Sequence, residues 1–176
     1  MGIDVSEVLI PESEIKDMVK RVASDINRDY KGQELVVIGV LTGAFVFTAD
    51  LVRELTVPVT VDFMQVSSYV GENSTGNLII KKDISTDIEG KHVLLVEDIV
   101  DTGRTLSMLR EMLMGRNPAS IKICTAFDKP DRRVKTLVPE YDGIVIPDKF
   151  IVGYGLDYNG LYRELKEVCV VSFTDT

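Results

Sequence analysis

Val93-Leu94-Leu95-Val96-Glu97-Asp98-Ile99-Val100-Asp101-Thr102-Gly103-Arg104-Thr105-Leu106 opens on an unbroken apolar run, passes three acids and closes on threonines set around a glycine. The apolar run is short and rich in valine, which predicts a strand buried on both faces. Leu106, Leu109, Met112 and Leu113 then recur at helical spacing up to Gly115, a suitable stop. The stretch therefore reads as strand, acidic turn, helix N-terminus. The first N–H groups of a helix lack intrahelical partners and its dipole is positive there, so an anion such as phosphate is welcome. Gly103 lets backbone approach that anion, and the hydroxyls of Thr102 and Thr105 add donors.

Carboxylates beside an anion site would repel a bare phosphate. They imply a ligand with hydroxyls to be accepted, a divalent cation between the charges, or both. A ribose 5′-phosphate answers to that: phosphate on the helix end, diol facing Glu97 and Asp98, Mg²⁺ nearby. The plainer alternative is a buried strand ending in a solvated acidic turn, with Asp101 or Thr102 as helix cap.

Upstream, residues 11–30 predict an amphipathic helix, with Ile15, Met18, Val19, Val22 and Ile26 on one face and Gly32 closing it. Residues 35–41 predict a second buried strand running through Thr42-Gly43 into a helix over 44–55. Two successive strand–small turn–helix units matter together, because ligands in open parallel sheets sit at the carboxyl ends of strands. Residues 57–66 are strand-like. Ser67 to Gly76 breaks every periodicity and reads either as a loose hairpin connection or as a mobile flap. Strands are expected around 78–81 and after Gly90. Downstream, residues 119–127 predict a buried strand that delivers Asp128-Lys129-Pro130 at its end. Residues 131–140 are charged and irregular, 143–146 are a short strand, and 168–173 a final apolar one. The alternation predicts an α/β fold: a central parallel sheet flanked by helices, in one domain over residues 1–176.

A net charge of −8 with no basic cluster argues against nucleic-acid or membrane-surface partners. No apolar run approaches the ~20 residues of a membrane span. The start, Met1-Gly2-Ile3-Asp4-Val5, has neither the basic nor the apolar region of a signal peptide, which predicts a cytoplasmic protein. Cys124 and Cys169 lie in apolar runs and are expected as buried thiols. His92, the only histidine, is expected at the surface, and one histidine excludes a His-based metal cluster or nucleophile relay.

Glu97 to Thr105 resembles the phosphoribosyl-pyrophosphate (PRPP) signature of type I phosphoribosyltransferases, and nearly the whole chain resembles their hypoxanthine-guanine branch. The resemblance implies that 5-phosphoribose moves from PRPP to N9 of a 6-oxopurine with Mg²⁺ present. It implies that Glu97, Asp98, Asp101, Thr102, Gly103, Arg104 and Thr105 bind the ribose phosphate, with Asp101 as general acid/base. Thr42 and Gly43, from a turn often holding a non-proline cis peptide, would meet pyrophosphate together with Arg163, Ser68 and Tyr69 of a flap at roughly 67–80. Many relatives carry lysine where this chain has Thr42, which removes a cation from that side. Lys129 would donate to the 6-oxo group, Phe150 stack on the purine, and Ile151 and Asp157 read its N1 and C2 edge. Metal contacts would come from Glu97, Asp98 and Asp157. The terminal segments would form a small hood, and relatives commonly form homodimers or homotetramers.

Two other classes share parts of the pattern. A signalling receiver domain also has a strand ending in paired acids and a later Lys-Pro, but needs a phospho-acceptor aspartate on a strand between them, where this chain has none. A non-catalytic relative that binds RNA would need a basic face, against the acidic balance.

Overall fold

The computed structural model describes residues 2–69 and 77–174. In chain order the strands are β1 (Gly2–Ile10), β2 (Leu35–Leu41), β3 (Val59–Tyr69), β4 (Asn77–Lys82), β5 (His92–Val100), β6 (Ser120–Asp128), β7 (Tyr141–Val145), β8 (Ile151–Val152) and β9 (Val168–Thr174). The helices are α1 (Glu12–Asp29), α2 (Phe45–Glu54) and α3 (Arg104–Met114), with a short 3₁₀ turn at Pro130–Arg132. Six strands form one sheet in the order β4-β3-β2-β5-β6-β7, parallel except for β4. The predicted parallel α/β sheet is therefore present.

Strand alternation divides the core in two. Val37, Leu94 and Val96 pack with Ile15, Val22 and Ile26 of α1 and Phe47 and Leu51 of α2. Val36, Ile38, Val93 and Leu95 pack on the other face with Leu106, Leu109 and Leu113 of α3. Both faces of β5 are thus covered, as its apolar run predicts. The chain passes from β2 to β3 on one side and returns to β5 on the other. The carboxyl ends of β2 and β5 therefore flank a crevice where the strand order reverses, the place where such sheets bind ligands.

The hood is a separate three-stranded sheet, β1-β9-β8. Both cysteines are buried free thiols. His92 corrects its expectation: half-buried, its Nδ1 lies 2.7 Å from the Ser120 hydroxyl, because it opens β5 against β6 rather than preceding the sheet. The arms of the expected flap are ordered strand, with β3 and β4 pairing antiparallel from Gln65↔Lys82 to Tyr69↔Asn77. The flap tip, residues 70–76, lies outside the described residues.

Asp62 ties that hairpin to the sheet. Its carboxylate accepts the N–H groups of Phe63, Ser85 and Thr86 at 2.7–2.9 Å. Burial pushes its pKa up, but those bonds outweigh burial and bring it from an ordinary 3.8 down to about 2. A depressed carboxylate stabilises the fold above its unfolded value, and that stability is lost as pH falls toward the folded value. Wild-type stability should drop by roughly 2 kcal/mol between pH ~4 and ~2, from 1.36 kcal/mol per unit. Asp62→Asn should flatten this acid limb in chemical denaturation.

Candidate functional site

Every element of the site comes from the carboxyl edge of the large sheet or from the hood beside it. β5 runs on through Glu97 and Asp98 to Val100, so the paired acids end a strand and the turn begins only at Asp101. This corrects the expectation of an acidic turn from Glu97 onward. The ladder to β6 continues through Glu97↔Thr125, Ile99↔Phe127 and Val100↔Asp128, which holds the acids on regular backbone.

The Glu97 carboxylate accepts the Asp98 N–H at 3.0 Å and the Asp98 carboxylate accepts the Ile99 N–H at 2.6 Å. Burial, and then the neighbouring Asp98 charge, push Glu97 well above the usual carboxylate range. Burial also raises Asp98, partly offset by its hydrogen bonds and by Arg163. Such a pair holds charge at a cost to the fold. A raised carboxyl loses stability as pH climbs from its unfolded value through its folded one, so at neutral pH Glu97 is a liability. Glu97→Gln should raise the melting temperature, as measured by calorimetry, while lowering activity.

Thr42 and Gly43 lie opposite, joined to β2 by a cis peptide between Leu41 and Thr42. Gly43 presses on the acids: a Cβ there would stand 1.8 Å from Asp98 Oδ2. The Gly43 carbonyl in turn abuts Gly155 of the hood. Arg163 donates to the Gly155 carbonyl and pairs with Asp157 at 3.3 Å. Asp157 also accepts the Gly160 N–H. Asp157, expected to hold a second Mg²⁺ apart from the Glu97–Asp98 pair, is thus occupied by protein partners in this structure. Among the described residues no group of three or more acidic, cysteine or histidine side chains is placed to hold a metal.

Beyond Asp101, Gly103 adopts φ +80°, a left-handed conformation that suits glycine, and α3 starts at Arg104. Neither Asp101 nor Thr102 caps the helix with a close side-chain bond; the nearest is a 3.4 Å approach of the Arg104 N–H to the Thr102 hydroxyl. The turn and the first residues of α3, with Thr102, Gly103 and Thr105, line a cavity of about 180 Å³ reaching Glu97 and Asp98. Arg104 is exposed.

A second cavity of about 510 Å³ adjoins Asp98 and Asp101 and is lined by Lys129, Arg132, Phe150, Ile151 and Asp157. Lys129 is buried, its ammonium donating to the Lys149 carbonyl at 2.6 Å. Phe150 is about half exposed and stands edge-on to Tyr158. The backbone of Ser68 and Tyr69 lies at the end of β3 on the same sheet edge. Arg132 was not anticipated: its guanidinium holds the Asp101 carboxylate at 2.7 Å and reaches toward Asp148 at 3.7 Å. Nothing in a charged irregular stretch marks one arginine for that contact.

Residues 10–159 match the phosphoribosyl transferase domain model. The chain is 49% identical over 172 residues to hypoxanthine phosphoribosyltransferase of Salmonella typhimurium, covering 96% of this chain and 97% of that one. It is 43% identical over 169 residues to hypoxanthine-guanine phosphoribosyltransferase of Streptococcus pneumoniae, covering 96% and 94%. A crystal structure of a hypoxanthine-guanine phosphoribosyltransferase from Bacillus anthracis superposes with a TM-score of 0.91 at 44% identity, over 97% of this chain and all of that one.

Proposed function

This chain belongs to the phosphoribosyl transferase family, and from that premise we propose that it is a purine-salvage enzyme. It transfers 5-phosphoribose from PRPP to N9 of hypoxanthine or guanine, releasing pyrophosphate and giving IMP or GMP. One observation carries the assignment to a site. Asp98, close against Gly43 and beside the like-charged Glu97, lines both cavities, one ending in a helix N-terminus and the other in Lys129 and Phe150.

In this reading the amides and hydroxyls of residues 102–105 take the 5′-phosphate, and Glu97 and Asp98 accept the ribose 2′ and 3′ hydroxyls. The amides of Thr42 and Gly43 and the Arg163 guanidinium, with Ser68 and Tyr69, receive the pyrophosphate. Phe150 stacks on the base, Lys129 donates to its 6-oxo group, and Ile151 and Asp157 face the N1 and C2 edge. Adenine would set an amine against the buried ammonium, a polar mismatch that discriminates strongly. Asp101 exchanges the proton at N7, which requires the carboxylate to leave Arg132. Closure of the 67–80 segment keeps water from an oxocarbenium-like ribosyl centre.

The donor set fits Mg²⁺. Glu97 and Asp98 are oxygen donors whose mutual repulsion a bound cation would relieve, and carboxylate oxygens are the ligands Mg²⁺ takes. Bound there, Mg²⁺ would take up charge growing on the leaving pyrophosphate. The reading also includes a homodimer or homotetramer in the cytoplasm, with no nucleic acid as partner; sedimentation of the purified chain tests the assembly. No helix among the described residues is long and apolar enough to cross a membrane.

The direct experiment supplies PRPP, Mg²⁺ and each purine in turn and follows ultraviolet absorbance. Nucleotide should form with hypoxanthine or guanine and not with adenine. Failure with both 6-oxopurines would remove the reading.

A further inference from the structure

We infer that Arg133 is a positioning residue for the ribose-phosphate loop, its partly buried guanidinium fixing the Asp101–Thr102 peptide from beneath. The inference rests on the function proposed above, and deepens it.

Three consecutive carbonyls at the end of β5 are captured by the segment after β6. The Val100 carbonyl accepts the Lys129 N–H at 2.9 Å, and the Thr102 carbonyl accepts the N–H groups of Val134 and Lys135 at 3.0 and 3.2 Å. Those contacts are backbone to backbone and indifferent to side-chain identity. The middle carbonyl, that of Asp101, is different: its partner is a side chain, Arg133 Nε, at 3.2 Å. In a trans peptide the C=O and N–H point in opposite directions. Holding the Asp101 carbonyl down on Arg133 therefore turns the Thr102 N–H away from Arg133, and Thr102 and Gly103 both line the small cavity.

The guanidinium is itself held. Its side chain is 14% exposed, Nη2 pairs with the Asp128 carboxylate and Nη1 donates to the Leu137 carbonyl. Its stem supports the turn as well, since a Cβ at Gly103 would meet Arg133 Cδ at 3.0 Å. Three directed donors on one planar group are the property of arginine that a lysine ammonium cannot reproduce. Arg133 reaches no cavity-lining position in either pocket, so it acts through the loop and not on the ligand.

Arg133→Lys tests this, because it keeps a cation near Asp128 and removes the Nε donor. Misplacing a binding loop by about 1 Å can cost on the order of 10²-fold. KM for PRPP should therefore rise roughly ten- to hundredfold, with KM for the purine within about twofold of wild type. Arg110→Gln is the control for a purely structural loss. Arg110 donates to the Ile121 carbonyl and pairs with Glu140 at 2.7 Å, away from the loop, so it should lower the melting temperature and leave both KM values alone. Asp128→Asn weakens the hold on Arg133, should shift KM for PRPP the same way by less, and serves if Arg133→Lys does not fold. An unchanged KM for PRPP in Arg133→Lys, or an equal rise in Arg110→Gln, overturns the inference. If the wild-type protein makes no nucleotide, the proposed function falls, and amide exchange at Thr102 and Gly103 still decides the clamp. Faster exchange in Arg133→Lys than in wild type supports it; equal rates overturn it.

Discussion

Asp101→Asn is expected to lower turnover by a factor on the order of 10²–10⁴, the range spanned by general acid–base catalysis. Asp101 follows the last residue of β5 and lines the larger cavity with Lys129 and Phe150, on the same rim as the Glu97–Asp98 pair. An amide keeps the size and the acceptor oxygen of the acid but cannot carry a proton to or from N7. KM for PRPP and for the purine should therefore stay close to wild type while kcat falls. Stability gives no confusion, because the Arg132–Asp101 pair that the substitution breaks is half exposed, and such pairs contribute about 0–1 kcal/mol. The melting temperature should barely move. Steady-state kinetics beside a melting curve checks both halves, and near-wild-type kcat would remove Asp101 from proton transfer.

The parts of this molecule that were readable in the chain are those where local pattern and tertiary role coincide. The apolar runs at 35–41 and 93–96 are covered on both faces in the structure, and burial on two sides is what a continuous apolar run encodes. The periodic face of α1 behaves the same way, with Ile15, Met18, Val19, Val22 and Ile26 all buried. What escaped was non-local. β1 mixes exposed and half-buried residues in no regular alternation, and its strand character comes from pairing with β9 at the other end of the chain. Glu97 and Asp98 are poor strand formers held in the ladder by β6, so propensity placed the turn too early. Arg132 and Arg133 look alike in sequence, yet one pairs with the Asp101 carboxylate at the surface and the other carries its backbone from inside. No spacing rule separates them; only the fold does.

Gly43→Ala should reduce kcat/KM for PRPP by at least about 10²-fold, the loss that a misplacement of about 1 Å can cause, with little loss of stability. The added Cβ would lie 1.8 Å from Asp98 Oδ2 and 2.7 Å from its Cγ, too close for either to stay. What must give way is a side chain at the crevice rather than packed backbone, so the fold can absorb the change by turning Asp98 aside. That same movement takes the carboxylate from the place where it would meet the ribose diol and a cation. The φ angle of Gly43 is not in the left-handed region, so alanine adds no backbone strain there to confuse the result. If the effect runs through Asp98, it disappears once Asp98 is already gone. Asp98→Ala should itself be strongly impaired, and Gly43→Ala added to it should cost almost nothing further. Four melting curves and four values of kcat/KM complete the cycle. Additive losses would mean that Gly43 acts on the substrate through its own backbone, and that the close packing against Asp98 is incidental to catalysis.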